Sequence, residues 1–518
     1  MRKEIIGTIG LAALLCLTAC TGAAGTGTAE NGLPADAPVQ EAEAAQPEQQ
    51  DQVFTTEAED GNKSASGKKK GKKSSDSSGG KREKPSESSA GESTDTSDSS
   101  GKKQRPSGAV KSESGKQKGS STHSSGQKGK KKSSTSASSS SGDNAATVLK
   151  DGDALTGGTF TAEGADQSVL EASGTVQASV TNAVLNKTSG DASSADDSSF
   201  TGVNAAVRVY GDANVSLNNC TVNATVQNAT GVFAYENGVI TMDNCTVTVT
   251  GGGAGGVQVA GGGTLYGTNL TVTSASKAAI RSDRGGGTMV LDGGTYTSTG
   301  SNGCPAIYST ADITVKNAEC VSTGSRAVII EGKNTVTLKN CALSGNDQST
   351  KEGSVKANVL LYQSASGDAS EGTSVFTMTG GSMKSNSGAM FYCTNTDSMI
   401  NLENAELILS DDGTLLIVSA GRWGKDGKNG GSCTLNAKSQ LLSGTVTVDS
   451  ISSLMLNLTE GSSFTGSVGG EGAVSVTMDA SSVWKLTGDS YIDSIEGDLS
   501  GLDLNGYTLY VSGVAYAA

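Results

Sequence analysis

The chain has 518 residues, of which only 34% are hydrophobic and 4% aromatic, while 71 are Gly and 6 are Pro. That composition excludes one large mixed core and favours small, β-rich repeats joined by Gly turns, with a disordered part alongside. Charge is divided along the chain: residues 1–60 hold 2 basic and 10 acidic side chains, 61–145 hold 19 and 8, and 146–518 hold 18 and 35. The part that folds is therefore acidic, and no nucleic-acid face is expected on it.

Residues 1–19 read as an export signal. Arg2 and Lys3 give a charged start, and Ile5 to Leu17 is an apolar run too short to span a membrane comfortably. The run ends in Leu17-Thr18-Ala19-Cys20, which resembles a bacterial lipobox. The resemblance implies that Cys20 is lipidated and becomes the mature N-terminus. Each buried CH₂ of its lipid chains would hold the protein to the membrane by about 0.8 kcal/mol. An ordinary secretory signal that contains a Cys is the alternative.

Residues 20–145 show no hydrophobic periodicity. They are Ser, Gly, Lys, Glu and Ala, as in KKKGKKSSDSSGG at 68–80. Such a segment cannot bury enough apolar surface to offset its ordering entropy, so a disordered tether is expected, with a mean span of roughly 60 Å. It is read as a solvated spacer, with binding of its Lys runs to anionic wall polymer or lipid headgroups as the sharper alternative. His123, the single His, lies here without structured surroundings.

From residue 146 the chain repeats itself. Residues 214–222 read NVSLNNCTV and 239–247 read VITMDNCTV. The position held by Asn219 recurs as Asn182, Asn219, Asn244, Asn269, Gly293, Asn317, Asn340, Gly380 and Asn404. From Asn219 to Asn340 the steps are 25, 25, 24, 24 and 23 residues. Asn and Gly are the residues that tolerate φ > 0, so each marks a bend. Apolar residues alternate on both sides of it, as in Val215-x-Leu217 and Cys220-x-Val222, which predicts strands. A further strand lies upstream in each unit, as in Ala206-Val207-Arg208-Val209 and Gly231-Val232-Phe233-Ala234. Three short strands in about 24 residues make one coil of a parallel β-solenoid. Stacked at the interstrand spacing of about 4.8 Å, roughly 13–15 coils would run to roughly 65 Å. Like residues then pile into ladders, and the Asn column (Asn182, Asn219, Asn244, Asn269, Asn317, Asn340, Asn404) is expected to hydrogen-bond along the stack.

These residues resemble the right-handed parallel β-helix proteins, the architecture of pectate lyases and autotransporter passengers. TMDNCTV is the clearest copy of the Asn-bearing bend. The stretch SSVWKLTGDS at 481–490 is similar to distal coils of adhesin passengers, and residues 436–518 are expected to form shorter-period coils and a cap. The expected fold is all-β, a single-stranded β-helix over 146–518, its right-handedness implied by the resemblance alone. No translocator barrel is expected after Ala518, lipid attachment taking its place.

Chemistry is sparse. The β-helix segment has no His and no aligned Asp cluster. Of the Cys residues beyond the signal, Cys220, Cys245, Cys304, Cys320, Cys341, Cys393 and Cys433, none forms C-x-x-C, which argues against zinc, and their odd number favours buried free thiols. No catalytic residue, metal or cofactor is assigned; Ca²⁺ in the loop of Asp191, Asp196 and Asp197 is the one alternative. Asp283 between Arg281 and Arg284 could serve a lyase, but fits a charged bend better. The upstream strand supplies a column expected to point outward: Arg208, Phe233, Gln258, Arg281, Tyr308, Ile329, Leu361, Phe391 and Ile417. An exposed strand column should be polar, so these aromatics suit sugar rings unless the inserts at 187–200, 344–357 and 419–432 cover them. Trp423 in the last insert is either a contact or a lid. The ligand-binding candidates are Arg208, Phe233, Arg281, Tyr308, Phe391 and Trp423. Together these features point to a lipid-anchored protein of a bacterial cell surface, monomeric, with its folded domain outside. It would bind cell-wall or extracellular polysaccharide, or a surface protein, as an adhesin without catalysis. A polysaccharide lyase or its degenerate relative, and a structural envelope spacer, are the alternatives.

Overall fold

The computed structural model describes residues 145–350 and 354–517. The signal at 1–19, Cys20, His123 and the tether up to residue 144 lie outside the described residues.

One coil shows how the sequence builds the fold. Val207–Tyr210 forms the first wall, Asn214–Asn218 the second and Thr221–Ala224 the third. The next coil repeats this with Val232–Tyr235, Val239–Asp243 and Thr246–Val249. Pairing is parallel and in register: Val232 sits on Val207, Ile240 on Val215, and Val247 on Val222. Every partner is 25 residues away, the step between the two Asn bends. The first wall continues through fifteen parallel strands, from Ala145–Val148 to Leu502–Asp503. The chain is thus an all-β parallel solenoid with fifteen coil positions on that wall.

The second and third walls form one continuous sheet. Strands such as Gly263–Ser274 and Thr335–Gly345 pass through the Asn bend unbroken. The bend is a single left-handed residue: Asn182, Asn219, Asn244, Asn269, Asn317, Asn340 and Asn404 have φ between 50° and 56°. Gly293 and Gly380 hold the same place at 73° and 64°. Gly293 has a second reason to lack a side chain, since an added Cβ would meet Asn269 Oδ1 at 2.4 Å. Backbone bonds stack this column, as in Asn219 N–H to the Asp243 carbonyl at 2.9 Å.

The expected amide ladder at the bend is largely replaced. Among the described residues, its one side-chain pair is Asn269 Nδ2 donating to Asn244 Oδ1, at 3.4 Å. Asn317 instead donates to the Asp292 carboxylate, at 2.8 Å. A true amide ladder runs mid-strand on the second wall, Asn457 to Asn436 to Asn401, each step 2.8 Å.

Inward residues of the three walls make one continuous apolar core from Leu149 to Leu509. From Ser432 the coil shortens, Ser432 pairing with Ser453 and that with Ala473. There Leu441–Val448 runs directly into the first wall. Phe464 stacks on Trp484 at 5.7 Å between ring centroids, filling the narrowed interior. Ser490–Ile492, Leu509–Val511 and Val514–Ala515 close this end, the last pair antiparallel. All seven described cysteines are buried free thiols.

Candidate functional site

The outer surface of the first wall carries the candidate residues. Register gives the column directly: Arg208 pairs with Phe233, Phe233 with Gln258, Gln258 with Arg281, Arg281 with Tyr308, and Tyr308 with Ile329. One position higher the sequence-based column fails. Ile329 pairs with Leu360 rather than Leu361, and Leu360 with Tyr392 rather than Phe391. A slip of one residue in a strand reverses the face. Leu361 and Phe391 therefore belong to the main core, where Phe391 meets Phe376 edge-on at 5.8 Å. Tyr392 takes the outward place, and Ile417 follows it.

Outward does not mean open. The insert after the third-wall strand Val184–Lys187 contains a helix, α1 (Ala195–Thr201), capped by the Ser194 hydroxyl and ended by left-handed Gly202. This insert lies on the column. Phe233 is fully buried, and Gly202 approaches its ring so closely that an added Cβ would meet it at 2.6 Å. Gln258 donates to the Ser199 carbonyl at 2.8 Å, Lys277 to the Ser199 hydroxyl at 2.6 Å, and Arg208 to the Thr201 carbonyl at 2.9 Å.

Further along, two inserts flank a second apolar cluster of Ile329, Ala357, Leu360, Tyr362, Ala389 and Tyr392, with Tyr308, Ile417 and Trp423 against it. Trp423 brings its ring within 4.5 Å of Tyr362. Its loop is pinned by Asn429, which donates to the carbonyls of Gly421 and Trp423 at 2.7 and 2.9 Å. A further insert, at 363–373 between the strands Ala357–Tyr362 and Ser374–Ser385, was not among those expected from the sequence. It delivers Ser364 to Glu331 and Asp368 to Arg284. Glu331 also accepts from the hydroxyls of Tyr308 and Tyr362. Burial, followed by the charges around them, pushes both phenols well above their ordinary range.

Every Arg of residues 145–517 lies on this wall or in the segments entering and leaving it: Arg208, Arg281, Arg284, Arg326 and Arg422. Four sit over aromatic rings: Arg208 on Tyr210, Arg281 on Tyr308, Arg284 on Phe200 and Arg422 on Trp423, at 3.9–4.7 Å from the centroids. Four also have acid partners: Glu171, Asp283, Asp368 and Asp347. Arg422 is exposed, and among the described residues no carboxylate pairs with it. Lys425 and Lys428 stand beside it, also exposed. Asp283 is engaged by Arg281 and by the Arg284 backbone N–H, consistent with a charged bend.

Asp191 accepts the Gln227 backbone N–H, while Asp196 and Asp197 open α1. Among the described residues no three His, Cys, Asp or Glu side chains gather as a metal set. A depression of about 170 Å³ lies on the second wall over Thr377, Asn401 and Lys438, away from this column. Glu331, Tyr362, Tyr392 and Arg422 were not among the sequence-derived candidates. Compared with family models and with curated proteins, the chain matches none.

Proposed function

We propose that this is a lipid-anchored surface protein of a bacterium, held by Cys20, whose β-helix binds extracellular glycan without catalysis. The pectate-lyase-like and passenger-like resemblance belongs to the same reading. The observation that carries it is the gathering of all five Arg of an acidic domain on one aromatic-lined wall. Stacking on aromatic faces with a neighbouring guanidinium suits a sugar ring that bears a carboxylate or sulfate.

Within that wall the contact surface moves from the column to the loop. Phe233, Arg281 and Tyr308 support the covering inserts, whereas Arg422 and Trp423 stand at the solvent edge. Trp423 offers the ring face, and Arg422, Lys425 and Lys428 offer the charge. Burial of the reactive-looking groups, and the pairing of Asp283 with Arg281, favour binding over elimination.

A glycan array probed with the full chain tests the reading. Binding to acidic oligosaccharides, reduced at least tenfold by Arg422→Gln and by Trp423→Ala, is the expected result. An array with no bound glycan, or binding that both variants retain in full, rejects it. Release of unsaturated uronides from a polyuronate would favour a lyase instead. For the anchor, Cys20→Ala should free the protein from the membrane fraction; membrane retention of that variant would reject lipid attachment at Cys20.

A further inference from the structure

Among the seven described thiols, Cys393 and Cys433 meet sulfur to sulfur across two walls. Cys393 Sγ lies 3.6 Å from Cys433 Sγ, and both side chains are buried. They come from different walls, Cys393 from Ala389–Thr394 on the first and Cys433 from Ser432–Lys438 on the second. Their side chains therefore approach across the core. Cys220 and Cys245 form the contrasting case: they hold equivalent places in successive coils, and Cys245 Sγ meets the Cys220 backbone N–H at 3.4 Å. Residues stacked in register project in parallel, and parallel Cβ atoms one strand apart exceed the Cβ separation a disulfide prefers. Cys304 turns its sulfur to the Ser276 carbonyl.

We propose that Cys393 and Cys433 are a disulfide-forming pair, and that the bond staples the base of the loop carrying Arg422 and Trp423. The segment between them, 394–432, contains that whole loop. Forming the bond draws the two sulfurs from 3.6 Å to about 2.05 Å. The oxidant is a disulfide compound. One cysteine thiolate attacks it, forming a mixed disulfide and expelling one thiolate. The second cysteine thiolate then attacks the protein sulfur and expels the other. In sum two protein thiols become one disulfide, the oxidant is reduced to two thiols, and no other redox partner is needed. Burial places this exchange before the walls close or during opening of the loop. The staple does not depend on what the loop binds.

The test refolds the full chain from urea in a mixture of reduced and oxidised glutathione, so that the thiols can exchange before the walls close, then denatures and alkylates it without reductant. The expected result is two fewer alkylated thiols than in a reduced control, and a linked pair of tryptic peptides, 385–422 with 429–438. Cys433→Ser and Cys393→Ser should each abolish that pair, and Cys220→Ser should leave it. The oxidised wild type should also melt higher than the reduced form, a shift absent from the two variants. Equal alkylation in both samples, or a link between other cysteines in place of this one, overturns the proposal.

Discussion

Tyr362 and Trp423, 61 positions apart in the chain, bring their ring centroids within 4.5 Å at an interplanar angle of 49°. The contact fastens the loop at 419–431 to the first wall and turns an outward strand column into a second apolar cluster. Replacing Trp423 by Ala should destabilise the domain modestly, by about 1–2 kcal/mol, since the ring is only partly buried. Urea unfolding measures this. The other Trp, Trp484, is fully buried, so acrylamide should quench the wild type and hardly affect Trp423→Phe.

Register makes a sharper prediction on neighbouring residues. Phe391 lies in the main core and Tyr392 in the outer cluster. Phe391→Ala should cost about 3–5 kcal/mol, with cavity formation added to lost transfer energy. Tyr392→Phe should cost less than about 1.5 kcal/mol, because it leaves the ring in place and removes a hydroxyl that donates to the Ala420 carbonyl at 3.3 Å. Equal losses in urea unfolding would contradict the assigned faces.

Arg326 and Asp347 form a buried pair at 3.0 Å. Asp347 also accepts backbone N–H groups of Ser349 and Ala357, so it holds the insert leading into the Ala357–Tyr362 strand. Asp347→Ala leaves a buried guanidinium and should destabilise by about 3–5 kcal/mol. The double variant with Arg326→Met should recover a large part of that loss. A double-mutant cycle in urea reads the coupling.

The left-handed bend is testable at Asn244, whose φ is 51°. Asn244→Gly should be close to neutral. Asn244→Ala should cost about 1–2 kcal/mol, because Ala keeps the crowded Cβ but loses the short polar side chain whose local hydrogen bonding lets Asn adopt the left-handed region. Thermal midpoints of the two variants should separate in that order.

Stability should follow pH in a defined way. Burial lowers Lys277 and Lys187 from the ordinary 10.5 to about 8 in the folded chain. Between about pH 8 and 10.5 the unfolded chain binds protons that these lysines have released in the folded chain, so their contribution rises with pH there. Tyr308 and Tyr362 act oppositely. Their raised values keep the folded phenols protonated above the ordinary 10.0, so their contribution falls once the unfolded phenols ionise. The thiols of Cys304, Cys320 and Cys341 are raised by burial, and that of Cys433 by its contact with Cys393 and then by burial, so they oppose the lysines from their ordinary 9.0 upward. Urea midpoints should therefore fall above about pH 9, and fall more steeply in Lys277→Met, which lacks the lysine's opposing rise.

What could be read from the sequence was whatever a single coil encodes locally. Asn219 and Asn244 sit at the same place because each backbone must turn with positive φ, and the alternation around them assigns the inward faces. Coil stacking follows, because identical spacings place identical residues together. Tertiary structure alone decided the rest. In the strands Ala357–Tyr362 and Ala389–Thr394 every residue is buried. Such runs lack the polar alternation that marks a face, so the one-residue shift at Leu360 and Tyr392 had no signal. The covering of the column depends on meetings such as Arg284 with Asp368 and Arg284 with Phe200. These join segments 84 residues apart whose composition resembles any solvated loop. A repeat carries its own instructions in its period; contacts between non-repeating inserts exist only once the coils have set the distances between them.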